Sequence, residues 1–170
     1  MIVTATLADV PELNLLVNSA YRGESSREGW TTEADFLEGT RIFPEELQKL
    51  IDIPGSMILK YLDGSGQIKG CVNIQEKDAE LYLGLLTVNP KSQGQGIGRQ
   101  LLKAAEALAR SRGIPVIKMT VVSIRSELIE WYRKNGYHDT GERAPFPTGD
   151  PRFGIPLKKL EFIVMKKNII

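Results

Sequence analysis

The chain has 170 residues and a mass of 18.9 kDa, the size of one domain, and a chain this long buries enough surface for a full core. Its 42% hydrophobic and 25% charged residues are those of a globular protein, and without a run of about 18 apolar residues it has no membrane span. The net charge of +1 argues against a nucleic-acid binder with a dominant basic face, and one cysteine and one histidine exclude an internal disulfide and a Cys/His zinc centre.

Residues 2–6 are short and β-branched and suit a first strand. Leu7, Val10, Leu13, Leu16, Val17 and Ala20 recur at helical spacing behind Asp9 and Pro11, which predicts an amphipathic helix to about residue 20. Residues 21–30, polar with two glycines, read as a loop. Thr32 followed by Asp35 resembles a helix start before Phe36 and Leu37. Pro44-Glu45-Glu46 opens another helix with Leu47, Leu50 and Ile51 on one face.

Strands follow at 57–62 and 67–75 around the turn 63–66. After a tight turn at Lys77-Asp78, residues 81–88 form an apolar strand with little alternation, the pattern of a strand buried on both faces. Residues 97–112 carry the strongest helical pattern, with Leu101, Leu102, Ala105, Leu108 and Ala109 inward and Gly113 as its stop. A strand at 116–122, a short helix at 126–134, a strand from 137 and a last strand at 160–166 complete the order. No repeat or linker interrupts it, so the chain reads as one α+β domain over residues 1–170.

The chemistry sits where the apolar strand ends. Asn89-Pro90 stops its pairing, and Gln93-Gly94-Gln95-Gly96-Ile97-Gly98 leads directly into the long helix. Glycines let backbone approach a ligand closely, and the first amides of a helix lack partners and face a positive dipole end, so a phosphate fits there. A dinucleotide fingerprint would need GxGxxG after the first strand of a βαβ unit, and a P-loop would need Gly-Lys-Ser/Thr; Gly98 is followed by Arg99. Cys71 lies within an apolar strand pattern, where a free cysteine is a small core residue, so it does not pair with His138 as a nucleophilic dyad.

Val88-Asn89-Pro90 followed by Gln93-x-x-Gly96-x-Gly98, and further on Tyr132 before Gly136-Tyr137, resemble the GNAT superfamily of N-acetyltransferases. The resemblance implies a GNAT fold, a mixed, mostly antiparallel sheet of about six to seven strands flanked by helices. It implies acetyl-CoA as cosubstrate, held by Leu86, Thr87, Val88, Gln93, Gly94, Gln95, Gly96, Ile97, Gly98, Arg99 and Tyr132. It makes Tyr132 the acid for the departing thiolate, the N–H of Leu86 the donor to the thioester carbonyl, and Glu80, at the head of the strand, the candidate base, with His138 second. Where many members carry an asparagine seven residues before the tyrosine, this chain has Arg125. Trp131 beside the tyrosine is read as core.

The acceptor is expected between residues 21–53 and 142–158, with Arg22, Trp30, Arg143 and Phe146 as first candidates and Arg152 and Phe153 nearby. Arg and aromatic residues on both walls suit a small amine with a polar or anionic part. A cytoplasmic enzyme acting on a small-molecule amine, as monomer or homodimer and without nucleic acid or membrane, is the expectation. A non-catalytic acyl-CoA sensor and an enzyme for protein N-termini or lysines stand as alternatives.

Overall fold

A computed structural model describes every residue except Pro151 and Phe153, so the Phe153 candidate lies outside the described residues. The strands are β1 (Ile2–Thr4), β2 (Leu37–Glu38), β3 (Ser56–Leu62), β4 (Ile68–Lys77), β5 (Glu80–Val88), β6 (Val116–Val122), β7 (His138–Pro145), β8 (Ile155–Pro156) and β9 (Glu161–Asn168). The helices are α1 (Val10–Tyr21), α2 (Gly23–Ser26), α3 (Pro44–Asp52), α4 (Ile97–Ser111) and α5 (Ser126–Lys134). Seven strands form one sheet in the order β1-β3-β4-β5-β6-β9-β7, antiparallel except for β5 beside β6. No helix is long and apolar enough to cross a membrane among the described residues.

Alternation places the core on both sides of this sheet. Val72 and Ile74 of β4 pack with Leu101, Leu102, Ala105 and Ala109 of α4, while Cys71 packs with Leu13, Leu16 and Val17 of α1 and Leu47 of α3. Cys71 is sealed among apolar side chains, and desolvation pushes its thiol up to about 12. The thiolate is the reactive form. Cys71 should therefore stay unlabelled by a disulfide reagent at pH 8 in the folded protein and react at once in denaturant; labelling of the native chain on mixing would contradict this burial.

Three sequence expectations change. Residues 33–36 bend and turn where a helix is expected: Thr32 Oγ1 accepts the Ala34 N–H at 3.0 Å, and the chain then extends at Leu37 into β2, paired antiparallel with β8. The stretch read as a loop after residue 20 contains the single-turn α2. β5 is not buried on both faces, because Leu81, Leu83, Leu85 and Thr87 are buried while Tyr82, Gly84, Leu86 and Val88 are half-buried. Tyr82, Gly84, Leu86 and Val88 line clefts, and Leu86 and Val88 also pack against the α4-side core, so their apolar character serves both the site and the core.

Candidate active site

The site begins with a failure of pairing. β5 and β6 are in register only at Leu81–Ile117 and Tyr82–Lys118, and beyond Tyr82 the two strands part. On its other edge β5 carries a bulge. Asn73 pairs with Gly84 and Cys71 with Thr87, so three steps along β5 oppose two along β4, and Leu85 and Leu86 have no register partner on either neighbour. Leu85 takes φ 51°, a left-handed conformation that costs a side-chain-bearing residue about 1–2 kcal/mol. An extra residue reverses which face each side chain meets. Accordingly Leu81 and Leu83 pack on the α4 side, Leu85 on the α1 side. The bent segment is held by Tyr21, whose hydroxyl donates to the Leu86 carbonyl at 3.0 Å, and by the Thr87 hydroxyl, which donates to the Leu85 carbonyl at 2.8 Å.

Beyond β5 the Asn89 side chain accepts the Lys91 N–H at 2.9 Å and starts a single 3-10 turn. Gly94 and Gly96 then adopt φ 81° and 79°, with nothing within 4 Å of where a Cβ would stand, and Gly96 caps α4. The loop therefore presents bare backbone and the unpaired first amides of a 15-residue helix to an open space, the surface a pyrophosphate requires. Gly98 closes the opposite side: a Cβ there would lie 3.4 Å from the Trp131 ring and 3.5 Å from Val88. A cavity of about 360 Å³ runs from this loop along β5. Of the residues expected at the donor, Leu86, Thr87, Val88, Gln93, Gly94, Gly96, Ile97, Gly98, Arg99 and Tyr132 line it, and Gln95 does not.

Gln93 has a second task. Its side-chain oxygen accepts the Trp30 N–H at 2.9 Å while its amide donates to the Val88 carbonyl at 3.3 Å. Trp30 is thereby fixed over the donor cavity, 6.3 Å ring to ring from Trp131. The sequence places Trp30 with the acceptor and Trp131 in the core; both line the donor cavity, and Trp131 also packs against the core as expected.

A second cavity of about 270 Å³ opens between β5 and β6. Tyr21, Arg22, Glu33 and Arg41 line it from one side and Phe146 and Pro147 from the other, so the two expected walls do face one cleft. Tyr21, Leu86, Arg125, Leu128 and Tyr132 belong to both cavities. Tyr132 is buried against Trp131 and Tyr137, at ring distances of 5.2 and 5.9 Å, and desolvation raises its phenol well above the ordinary 10.0. It is therefore a protonated phenol at neutral pH.

Between the cavities lies a buried ionic triad. Glu33 receives Arg22 Nε at 3.0 Å on one oxygen and Arg125 Nη1 at 3.2 Å on the other, and all three residues are 5–6% exposed. Arg125 also donates to the Thr31 hydroxyl at 2.8 Å, and its Nε is buried without a hydrogen-bond partner among the described residues. Arg125 thus joins α5 to the segment after α2, which no local pattern announces.

Three candidates stand elsewhere. Glu80 is at the far end of β5, bound to Lys166 at 2.6 Å, and lines neither cavity; six steps of about 3.3 Å each separate it from Leu86. Arg143 is exposed on β7, paired with Asp139 at 3.0 Å, and His138 is exposed at the start of that strand, neither lining a cavity. A charged residue at a strand end or sheet edge looks the same in sequence whether or not a cleft is near.

A family model described as an acetyltransferase (GNAT) domain matches residues 54–139, just over half of the chain. The chain belongs to the GNAT family. Its match to this model runs from β3 through the motif loop to the start of β7, so β5, the glycine loop and Tyr132 fall within it. This GNAT chain is 29% identical over 153 residues to a mycothiol acetyltransferase of Cellulomonas flavigena, covering 88% of itself and 40% of that protein. It therefore spans well under half the length of that relative. Among solved structures it resembles the ribosomal-protein-S18-alanine N-acetyltransferase of Escherichia coli, with TM-score 0.74, 17% identity and coverage of 99% and 93% of the two chains. It also resembles an acetyltransferase structure from Bacillus anthracis str. Ames in complex with acetyl coenzyme A, with TM-score 0.60, 19% identity and coverage of 72% and 67%. These likenesses support the GNAT fold.

Proposed function

We propose that this GNAT chain is an N-acetyltransferase that moves the acetyl group of acetyl-CoA to a primary amine of a small molecule, with donor and acceptor bound together. The observation that carries the reading is the meeting of two cavities at Tyr132 and Leu86. Acetyl-CoA supplies a thioester, whose carbonyl carbon takes the amine and whose sulfur leaves.

The residues divide the work. Backbone amides from Gly94 to Arg99 hold the pyrophosphate at the α4 N-terminus. The Leu86 N–H, on the bulged stretch without a register partner, is the donor to the acetyl oxygen, where a fixed N–H stabilises developing charge. Tyr132 gives its proton to the leaving sulfur as the C–S bond breaks, and the attacking nitrogen, once bonded to the acetyl carbon, gives up its extra proton to the Tyr132 oxygen, so that amide, thiol and neutral phenol result. The amine enters neutral. Three guanidiniums line its cavity against one carboxylate, and like charge disfavours the ammonium form, so its proton is lost to water without a dedicated base. Glu80 has no part in this scheme.

A screen of small amines with acetyl-CoA, reading free thiol, tests the reading, and the buried Cys71 keeps the protein's own thiol out of that signal. Thiol release with at least one amine, matched by its acetylated product, is the expected result. Tight acetyl-CoA binding with no release across the panel would instead make the chain a sensor. The donor site has its own test. Gly96→Trp meets nothing within 4 Å and fills the loop's open face, while its φ of 79° costs a side-chain-bearing residue about 1–2 kcal/mol, so its fold is checked by circular dichroism before binding is measured. Acetyl-CoA affinity should fall more than about tenfold by calorimetry; unchanged affinity in the folded variant would remove the loop from the donor site.

A further inference from the structure

We infer that the acceptor cavity is built for an acidic amine, one whose scaffold carries a carboxylate, with Arg41 and Arg125 as the groups that recognise it. The inference rests on the acetyltransferase reading of the same site. It goes beyond that reading by naming the substrate class.

The argument is one of charge placed in a confined space. Arg22, Arg41 and Arg125 line the cavity, and Glu33 is the single carboxylate among the described lining residues. Both oxygens of Glu33 are already engaged, one by Arg22 and one by Arg125. Arg41 is left over. Its guanidinium lies over the Tyr21 ring at 5.1 Å and has no ion-pair partner among the described residues. Arg125 approaches the same ring at 5.8 Å. The two guanidiniums therefore share one aromatic neighbour at the rim of the cavity, and Tyr21 in turn is bound to Leu86 at the proposed reaction centre.

A positive excess of this kind in a partly enclosed cavity is unfavourable until an anion enters. Arg125 adds a sign of its own: 6% exposed, it keeps a buried Nε with no hydrogen-bond partner among the described residues, a cost a fold bears most often at a functional position. A carboxylate answers this arrangement, because a guanidinium presents paired N–H groups in the plane that two carboxylate oxygens match. Across the cleft the Tyr82 and Thr120 hydroxyls, 3.1 Å apart, add neutral polar partners for the rest of a small scaffold. A cavity of about 270 Å³ accepts a molecule of amino-acid size. Polyamines and other polycations are repelled by the same lining.

The experiment compares the protein amino acids with their carboxamides as acceptors for acetyl-CoA, in wild type, Arg41→Gln and Arg41→Lys. The expected result is a kcat/KM for the acid at least about tenfold above that of its amide. Arg41→Gln should collapse that ratio towards one, mainly through KM, and Arg41→Lys should restore part of it. Equal use of acid and amide by the wild type, or an acid preference untouched in a folded Arg41→Gln, would overturn the inference.

If neither series is turned over, these compounds are not acceptors, the transfer reading is left to the amine screen, and the subsite is read by binding. Calorimetry of the N-acetylated acids and amides in the presence of CoA then decides. Tighter binding of the acids, lost in Arg41→Gln, supports the subsite; equal binding, or none, overturns it.

Discussion

Tyr132→Phe should lower kcat by two to four orders of magnitude while leaving acetyl-CoA affinity little changed. The substitution removes one hydroxyl, and a positioned acid typically contributes about 10²–10⁴-fold. The ring, which packs between Trp131 and Tyr137, is kept, so melting should move little. The pH profile adds a second reading. A phenol whose pKa is raised by burial stays a proton donor until pH exceeds that raised value. The rate should therefore climb with pH as the free amine loses its proton and then level off, with no falling limb up to pH 10. Near wild-type turnover in Tyr132→Phe would reduce the residue to packing, and a descending limb near pH 9 would point to a different acid.

Glu33→Ala should be the most damaging single change to stability near the site. It leaves Arg22 and Arg125, both almost wholly buried, without the carboxylate that holds them. Removing one member of a buried ionic group costs about 3–5 kcal/mol because the remaining charge stays desolvated. For a chain of this length that is a fall in melting temperature on the order of 10 °C. Replacing the whole triad by apolar residues of similar volume should cost less than the single change. A drop of under 2 °C in Glu33→Ala would mean that water reaches the two guanidiniums.

What could be read from the sequence divides along physical lines. The loop from Asn89 to Gly98 is legible because positive φ and a bare backbone demand glycine, and the demand is local. The strand before it is visible as a strand, but its bulge is not, since Leu85 in a left-handed conformation is a residue no propensity selects. Tyr132 is found from its place before Gly136-Tyr137. Tyr21, Arg41 and the partners of Arg125 are missed because they come together only through the packing of α1 and the following segment against the opened sheet. The helix expected at residues 32–37 follows a correct local signal, as Thr32 does take a backbone N–H. The strand it precedes is specified by residues 155–156, a pairing no window along the chain contains. Trp131 is read only in part for a related reason: it packs against the core and lines the donor cavity at once, and periodicity does not separate the two.

The short ladder of β2 with β8 carries a lesson about how this scaffold changes its diet. Leu37 faces Pro156 and Glu38 faces Ile155, so the segment after α2 and the connection before β9, which each give residues to the acceptor cleft, are stitched together. The stitch is tight: a Cβ on Gly154 would come within 2.9 Å of the Glu38 carbonyl, and Gly154 sits at φ 89°. Neither wall can be exchanged alone without leaving its mate an open edge. A graft of acceptor preference from another member onto this chain has to bring both segments as a matched pair, and drift in one during descent is answerable only by drift in the other.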